Sequence, residues 1–440
     1  MDVFVVIAVT IFLASYALIA TEKVHKVAAA LGGVAGMVIL GVFRPDGPLV
    51  SADSAFFSEH TGIDWNVVFL LFGMMIVVSV LGHTGLFEFI ALWAAKASGG
   101  RPMRLLIVLM LVTAFFSPIL DNVTVVLLVT PITLSVCRRL GVAPFPYLIA
   151  LIFAANIGGT STLIGDPPNL IIGSRANLTF TDFLVHSLPL TIILLGVLLA
   201  AVGVIFRKQM NVTIDIEDAL GDVSPSDAIP NTRLLVGCLI VLAAIMVLFG
   251  LHSVIHLDPS VVAMLGAGAM VVVSKTKPKE FLKEVEWTTL SFFMALFVLV
   301  GALVEVGVIG WLGEMAADLM GGNVMGGVTG LLFGSAVVGA IVDNIPYTTA
   351  MVPIVEQMVS STTQSGADSP LWWAFVFGAD LGGNTTAVAA GANVVVLGLA
   401  AGAGKPISFW KFTKYGVPFT FLTLAVAWLY VWLRYFVLAV

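Results

Sequence analysis

The sequence predicts an all-α polytopic membrane protein made of two inverted-topology repeats, each with about five spanning helices, a re-entrant hairpin and a broken helix. Three observations carry that reading. Hydrophobic residues fill 59% of 440 positions and charged residues only 10%, against roughly 25% charged in soluble domains. The apolar residues run in blocks of about 17 to 25, the length of a membrane-crossing helix, separated by short polar stretches. A shift of 222 residues lays the chain on itself, so that Trp65 meets Trp287, Gly85 meets Gly307, Asp121 meets Asp343, Asn122 meets Asn344 and Pro131 meets Pro353.

Composition also excludes other classes. A soluble enzyme of this length needs far more polar surface. Net charge is −6, but five acids (Asp215, Glu217, Asp218, Asp222 and Asp227) sit in one polar stretch, and no basic nucleic-acid face exists. Cys137 and Cys238 stand alone, without metal-ligand spacing or a disulfide framework. The first residues lack the basic n-region of a cleavable signal, and Lys23 and Lys26 follow them instead.

The first repeat, 1–210, shows apolar spans at about 3–20, 27–43, 66–93, 105–137, 146–175 and 187–206. The fourth has Ser117, Pro118, Asp121 and Asn122 at its centre. It is about 33 residues long, whereas two full crossings require roughly 40 plus a turn. Arms of about 16 residues reach partway across the core and return, so a re-entrant hairpin is expected with its tip at 121–122. The fifth span contains "NIGGTSTLIGDPPN", 156–169, whose two Gly and two Pro predict a helix unwound at mid-membrane. A cytoplasmic acidic linker, 211–232, leads to the second repeat, 233–440. There the tip falls at 343–344 in "VGAIVDNIPYTTAMVP" and the break at 380–393 in "DLGGNTTAVAAGAN".

Five crossings per repeat is an odd number, so the second repeat inverts. With the N-terminus outside, 17 of the 20 Lys and Arg fall inside, and only Arg44, Arg175 and Arg434 fall outside. Both termini are therefore expected outside.

Irregular backbone survives at membrane depth only when it lines a cavity or is packed in protein, and broken helix ends offer partial charges to a solute. The candidate substrate or ion site is Asp121, Asn122 and Thr124 at the first tip with Asn156, Gly158, Gly159, Thr160, Thr162 and Asn169 in the first break. The second half contributes Asp343 and Asn344 with Asp380, Gly382, Gly383, Asn384, Thr385 and Asn393, beside Thr386. This oxygen-rich, cysteine-free set suits a proton or small hard cation with a small polar solute. The blander alternatives are glycine pairs that only pack helices and aspartates that only cap them. Their occurrence at equivalent positions in both halves weighs against that. Asp166 has no acidic counterpart, because position 390 is Ala, and Asp380 faces Asn156. His83 aligns with Glu305 near a span end, which fits an interfacial role better than a proton relay. Trp65, Trp287, Trp372 and Trp373 read as interfacial anchors.

At "LDNVT…TP", "NIGGTSTLIGDPPN", "VDNIP" and "LGGNTT…GAN" the chain resembles the ion-transporter superfamily, nearest the branch of the arsenite permease ArsB and the melanosomal P protein. Dicarboxylate and citrate carriers of that superfamily have Ser-Asn-Thr at the tips, and in the sodium-coupled ones tip and break form the ion and substrate sites. The resemblance implies the same role here for Asp121, Asn122 and Gly159 through Thr162, and for Asp343, Asn344 and Gly383 through Thr385. It also implies a scaffold region and a moving transport region. Asp in place of Ser favours proton coupling at Asp121 and Asp343 and disfavours a dicarboxylate.

The expectation is a transporter, not an enzyme: arsenite or antimonite efflux by proton antiport with alternating access, in a prokaryotic inner membrane. The alternatives are a sodium/proton antiporter, or an organic anion/dicarboxylate transporter or anion channel of the same superfamily. An intramembrane aspartyl protease also pairs two acids, but has no need of two symmetric hairpin tips. No cofactor or resident metal is expected. The expected partners are a small inorganic substrate with its coupling proton or sodium, and the lipid bilayer. A homodimer and a soluble ATPase partner are left open, and no nucleic acid is expected.

Overall fold

A computed structural model describes residues 3–21, 24–44, 47–58, 61–210, 224–275 and 277–438. The regular structure among those residues is helical, without strands. Lys23 and the linker acids Asp215, Glu217, Asp218 and Asp222 lie outside the described residues.

The first half runs α1 (Val3–Thr21), α2 (Lys26–Val42), α3 (Ala52–Phe56), α4 (Trp65–Gly82), α5 (Leu86–Ala97), α6 (Pro102–Leu120), α7 (Asn122–Arg139), α8 (Phe145–Gly159), α9 (Pro167–Ala176), α10 (Phe180–His186) and α11 (Leu188–Ile205). The second half runs α12 (Thr232–Ile255), α13 (Pro259–Ser274), α14 (Pro278–Glu284), α15 (Trp287–Glu305), α16 (Val308–Met320), α17 (Val324–Gly339), α18 (Asn344–Ser360), α19 (Pro370–Gly382), α20 (Gly391–Gly402) and α21 (Phe409–Val431). Among the described residues, eight helices are long and apolar enough to cross a membrane. The protein is thus a polytopic helical membrane protein.

Packing pairs recur at equivalent elements. The pair α4 with α13 is matched by α15 with α2, α6 with α8 by α17 with α19, and α7 with α20 by α18 with α9. The core lies where α8 and α19 run through the middle of the bundle. Every α8 residue from Pro146 to Gly159 is buried, as is every residue of α19.

Five expectations need correction. The span at 66–93 is two helices, because Gly85 at φ 74° ends the run after Gly82 and starts the amphipathic α5. The hairpin arms α6 and α7 are 19 and 18 residues rather than 16, since α6 begins at Pro102, a natural first helical position, and α7 continues through Arg138 and Arg139. The breaks are also narrower. Asn156 to Gly159 remain helical and the irregular stretch is 160–166, because Pro167 and Pro168 start α9 rather than ending α8. In the second half the irregular stretch is 383–390. The second tip spans 340–343, with Asn344 opening α18.

The last correction concerns tryptophan. Trp65 and Trp287 are exposed at helix starts, their indoles donating to the Phe56 and Leu282 carbonyls at 2.8 and 3.0 Å. Trp372 and Trp373 are instead buried in α19, with Trp373 stacked on His186 and donating to the Ala367 carbonyl. A helix enclosed on all sides has no interface to anchor.

Candidate transport site

Each tip is joined to the break beside it. Asp121 caps α7, its carboxylate accepting from the Thr124 backbone N–H at 2.8 Å and the Thr124 hydroxyl at 2.7 Å. The turn has no other residue, which drives Asp121 to φ 70°, ψ 155°, a region that costs about 1–3 kcal/mol for a residue other than Gly. The next backbone N–H, of Asn122, donates to the Gly165 carbonyl in the break at 3.0 Å. In the second half the Asn344 N–H donates to the Ala389 carbonyl at 3.2 Å. The Thr162 hydroxyl donates to the Pro118 carbonyl at 2.6 Å, and Thr386 repeats the bond to Ala340 at 2.7 Å.

The irregular backbone of each break is stitched by one asparagine. Asn169 donates to the Gly159 and Thr162 carbonyls at 3.2 and 3.0 Å. Asn393 donates to those of Gly383 and Thr386 at 2.6 and 2.8 Å. The side chain thereby replaces helix hydrogen bonds lost where the backbone unwinds.

Asn156 joins the halves. It accepts from the Asn122 amide at 3.1 Å and lies 3.0 and 3.2 Å from the side-chain oxygens of Asn384 and Asn393, to which its own amide donates. Asn122 also donates to Asp166. Asp166 is buried within electrostatic reach of Asp380, Asp121 and Asp343, with Asn344 beside it. Asp380 is fully buried beside Thr160 and Asn169. Its two carboxylate oxygens, Asn122 Oδ1, Asn169 Oδ1, Asn344 Nδ2 and Asn384 Nδ2 make no well-formed hydrogen bond, although Thr160 and Asn169 lie beside Asp380 and Asn344 beside Asp166. Buried polar atoms are normally paired, so this cluster stands out.

Not every sequence candidate reaches the cluster. Thr385 donates to Thr420 on α21 at 3.2 Å, while Thr160, beside Asp380, donates to the Asn156 carbonyl of the preceding turn. Gly158 and Gly382 allow close helix packing. A Cβ on Gly158 would lie 2.6 Å from the Ala114 carbonyl oxygen, and one on Gly382 would lie 2.7 Å from Ala336 Cα. Gly159 faces the Gly165 carbonyl across the break, and Gly383 sits over Asp380 and Ala390. Asp166, absent from the candidate set, belongs at the centre. Its signal was its place as an acid inside an unwound apolar segment.

A cavity of about 780 Å³ reaches the tips. Its deep wall carries Asp121, Thr124 and Asp343, and its mouth carries Lys26, His83, Glu284 and Glu286. Asp166, Asp380 and the asparagines do not line it and lie behind the tips. At the mouth His83 pairs with Glu284 at 3.1 Å, and Ser79 donates to the same carboxylate at 2.6 Å. Among the described residues no His, Cys, Asp and Glu group could hold a metal ion.

Comparison with known proteins agrees with this architecture. The chain is 48% identical over 437 residues to "Uncharacterized transporter Rv2684" of Mycobacterium tuberculosis, covering 98% of this chain and 99% of the relative. It is 32% identical over 504 residues to the human P protein, covering 97% of this chain and 59% of that protein. The crystal structure of the Alcanivorax borkumensis YdaH transporter matches with a TM-score of 0.58 at 15% identity, over 98% of each chain, which establishes likeness of fold. A family model described as "Citrate transporter" (CitMHS) matches residues 16–378. The chain therefore belongs to the CitMHS citrate transporter family of the ion transporter superfamily, as a secondary transporter.

Proposed function

We propose that the protein is a proton-coupled secondary transporter working by alternating access, and that it exports arsenite or antimonite in exchange for protons. One observation carries the reading: Asp121 and Asp343, on equivalent hairpin tips, line the same cavity. Two carboxylates facing a shared space can take up protons when the space is empty and release them as cargo arrives. The Thr124 hydroxyl and the two carboxyl groups of the deep wall suit an uncharged trihydroxy acid, which needs donors and acceptors but no counter-charge. A free dicarboxylate or citrate trianion would meet like charge on the deep wall, which disfavours it.

In this reading the two halves are inverted repeats, 1–210 and 233–440. Both termini lie outside, and the cavity opens to the cytoplasm of a prokaryotic inner membrane. The machinery is Asp121, Asn122, Asn156, Asp343, Asn344, Asp380, Asn384 and the two stitching asparagines, with Asp166 added. Sodium/proton antiport is the second reading, favoured by the buried, weakly bonded oxygens of Asp380, Asn122 and Asn169.

Uptake of arsenite into inverted vesicles tests the proposal. An acid lumen should drive it and a protonophore should abolish it. Arsenite uptake that ignores the gradient contradicts the coupling, and sodium uptake without arsenite uptake selects the second reading.

A further inference from the structure

A second cavity, of about 400 Å³, lies toward the opposite end of α4. Its mouth is polar, with Ser253, His256 and Asp258 where α12 gives way to α13. Its inner end is apolar, with Leu70 of α4, Leu163 of the first break and Leu170 of α9, all buried.

The two cavities share no lining residue, yet they follow the same two helices. On α4, Val67 and Leu70 face the second cavity, while Leu71, Met75, Val78 and Gly82 face the first. Steps of three and four place these residues on one helix face. On α9, Pro167 faces the first cavity and Leu170 the second, and α9 packs against α4. From Asn66 to Gly82 this stripe runs about 24 Å at 1.5 Å per residue, most of a hydrocarbon core of about 30 Å.

We infer that the two cavities are halves of one path along the α4–α9 interface. The second is the vestibule of the opposite membrane face, and Leu70, Leu163 and Leu170 form the septum that closes it. The inference rests on the transporter reading and adds to it the closed gate. Three leucines at a constriction exclude water and so hold back protons, as hydrophobic gates do. The cargo crossing them is the same small uncharged hydroxylated solute, since the septum offers no partner to a charge.

The test uses no cargo, so it can fail while arsenite transport stands, and the reverse. Cysteines replace Ser174, in the second cavity, and Ser79, in the first; native Cys137 and Cys238 are buried. Sealed vesicles of both orientations receive a membrane-impermeant maleimide. S174C should label in one orientation only and S79C only in the other. Labelling of both from one side, or of S174C from neither, overturns the vestibule. For the septum, L70A and L163A should raise passive proton leak into liposomes several-fold while L70M should not. Tight L70A and L163A liposomes overturn the gate.

Discussion

The two hairpin tips arise from equivalent sequences and are held differently. Asp121 accepts two bonds from Thr124 and sits at φ 70°. Asp343 accepts one, from the Ile345 N–H at 3.1 Å, and sits at φ −46°. One substitution explains the difference in bonding. The position of Thr124 is occupied by Pro346, which has neither a backbone N–H nor a hydroxyl. Turn length explains the backbone: the first turn is one residue, the second spans 340–343. Instead of a Thr–Asp pair, the second tip is held by Tyr16 of α1, whose hydroxyl donates to the Pro346 carbonyl at 2.7 Å. The breaks differ less. Both keep the stitching asparagine and the threonine bond to the tip, although the acid ends the first break at Asp166 and precedes the second at Asp380. The duplicated frame is thus preserved where it holds irregular backbone together and diverges where it presents carboxylates.

This contrast can be broken at several points. The largest effect is expected from D121N and D343N, each of which should reduce gradient-driven transport to background in vesicles while leaving the protein folded in size-exclusion chromatography. Full transport by either variant would make that tip a cap only. N156A removes the residue joining the halves and should cost about 3 kcal/mol, because its loss leaves several buried amides unpaired; thermal unfolding in detergent reads this. G158A and G382A should each cost about 1–3 kcal/mol through overpacking. Equal losses would support equivalence of the breaks, with G196A, where no atom lies within 4 Å of the added Cβ, as the neutral control. The smallest effect is at the caps. T124A should lose about 1 kcal/mol, and P346T should recover part of that at the second tip by giving Asp343 the bonds Asp121 already has.

Much of this was legible in the sequence. Composition and block length predict the helical membrane class, and the repeated Asp-Asn pair marks where α7 and α18 begin, although it does not show that the second turn spans 340–343. Other features depend on contacts that local pattern does not carry. An apolar run hides a turn like that at Gly85, because hydropathy averages over one glycine. Trp372 and Trp373 look like interface residues until α19 is enclosed. Asp166 gains its meaning from Asn122, 44 residues away in sequence, a pairing that no spacing rule reaches. Gly and Pro predict wider breaks than exist, because here the glycines permit close packing and the prolines begin a helix.

The central claim is that Asp121 and Asp343 surrender protons when cargo enters their shared cavity. Its most direct test is proton release from purified protein in weakly buffered detergent, followed with a pH indicator as arsenite is added. The wild-type protein should acidify the solution on binding, D121N and D343N should each release fewer protons, and the double variant should release none. Wild-type protein that binds arsenite without releasing protons, or a double variant that releases as many as wild type, would contradict the account.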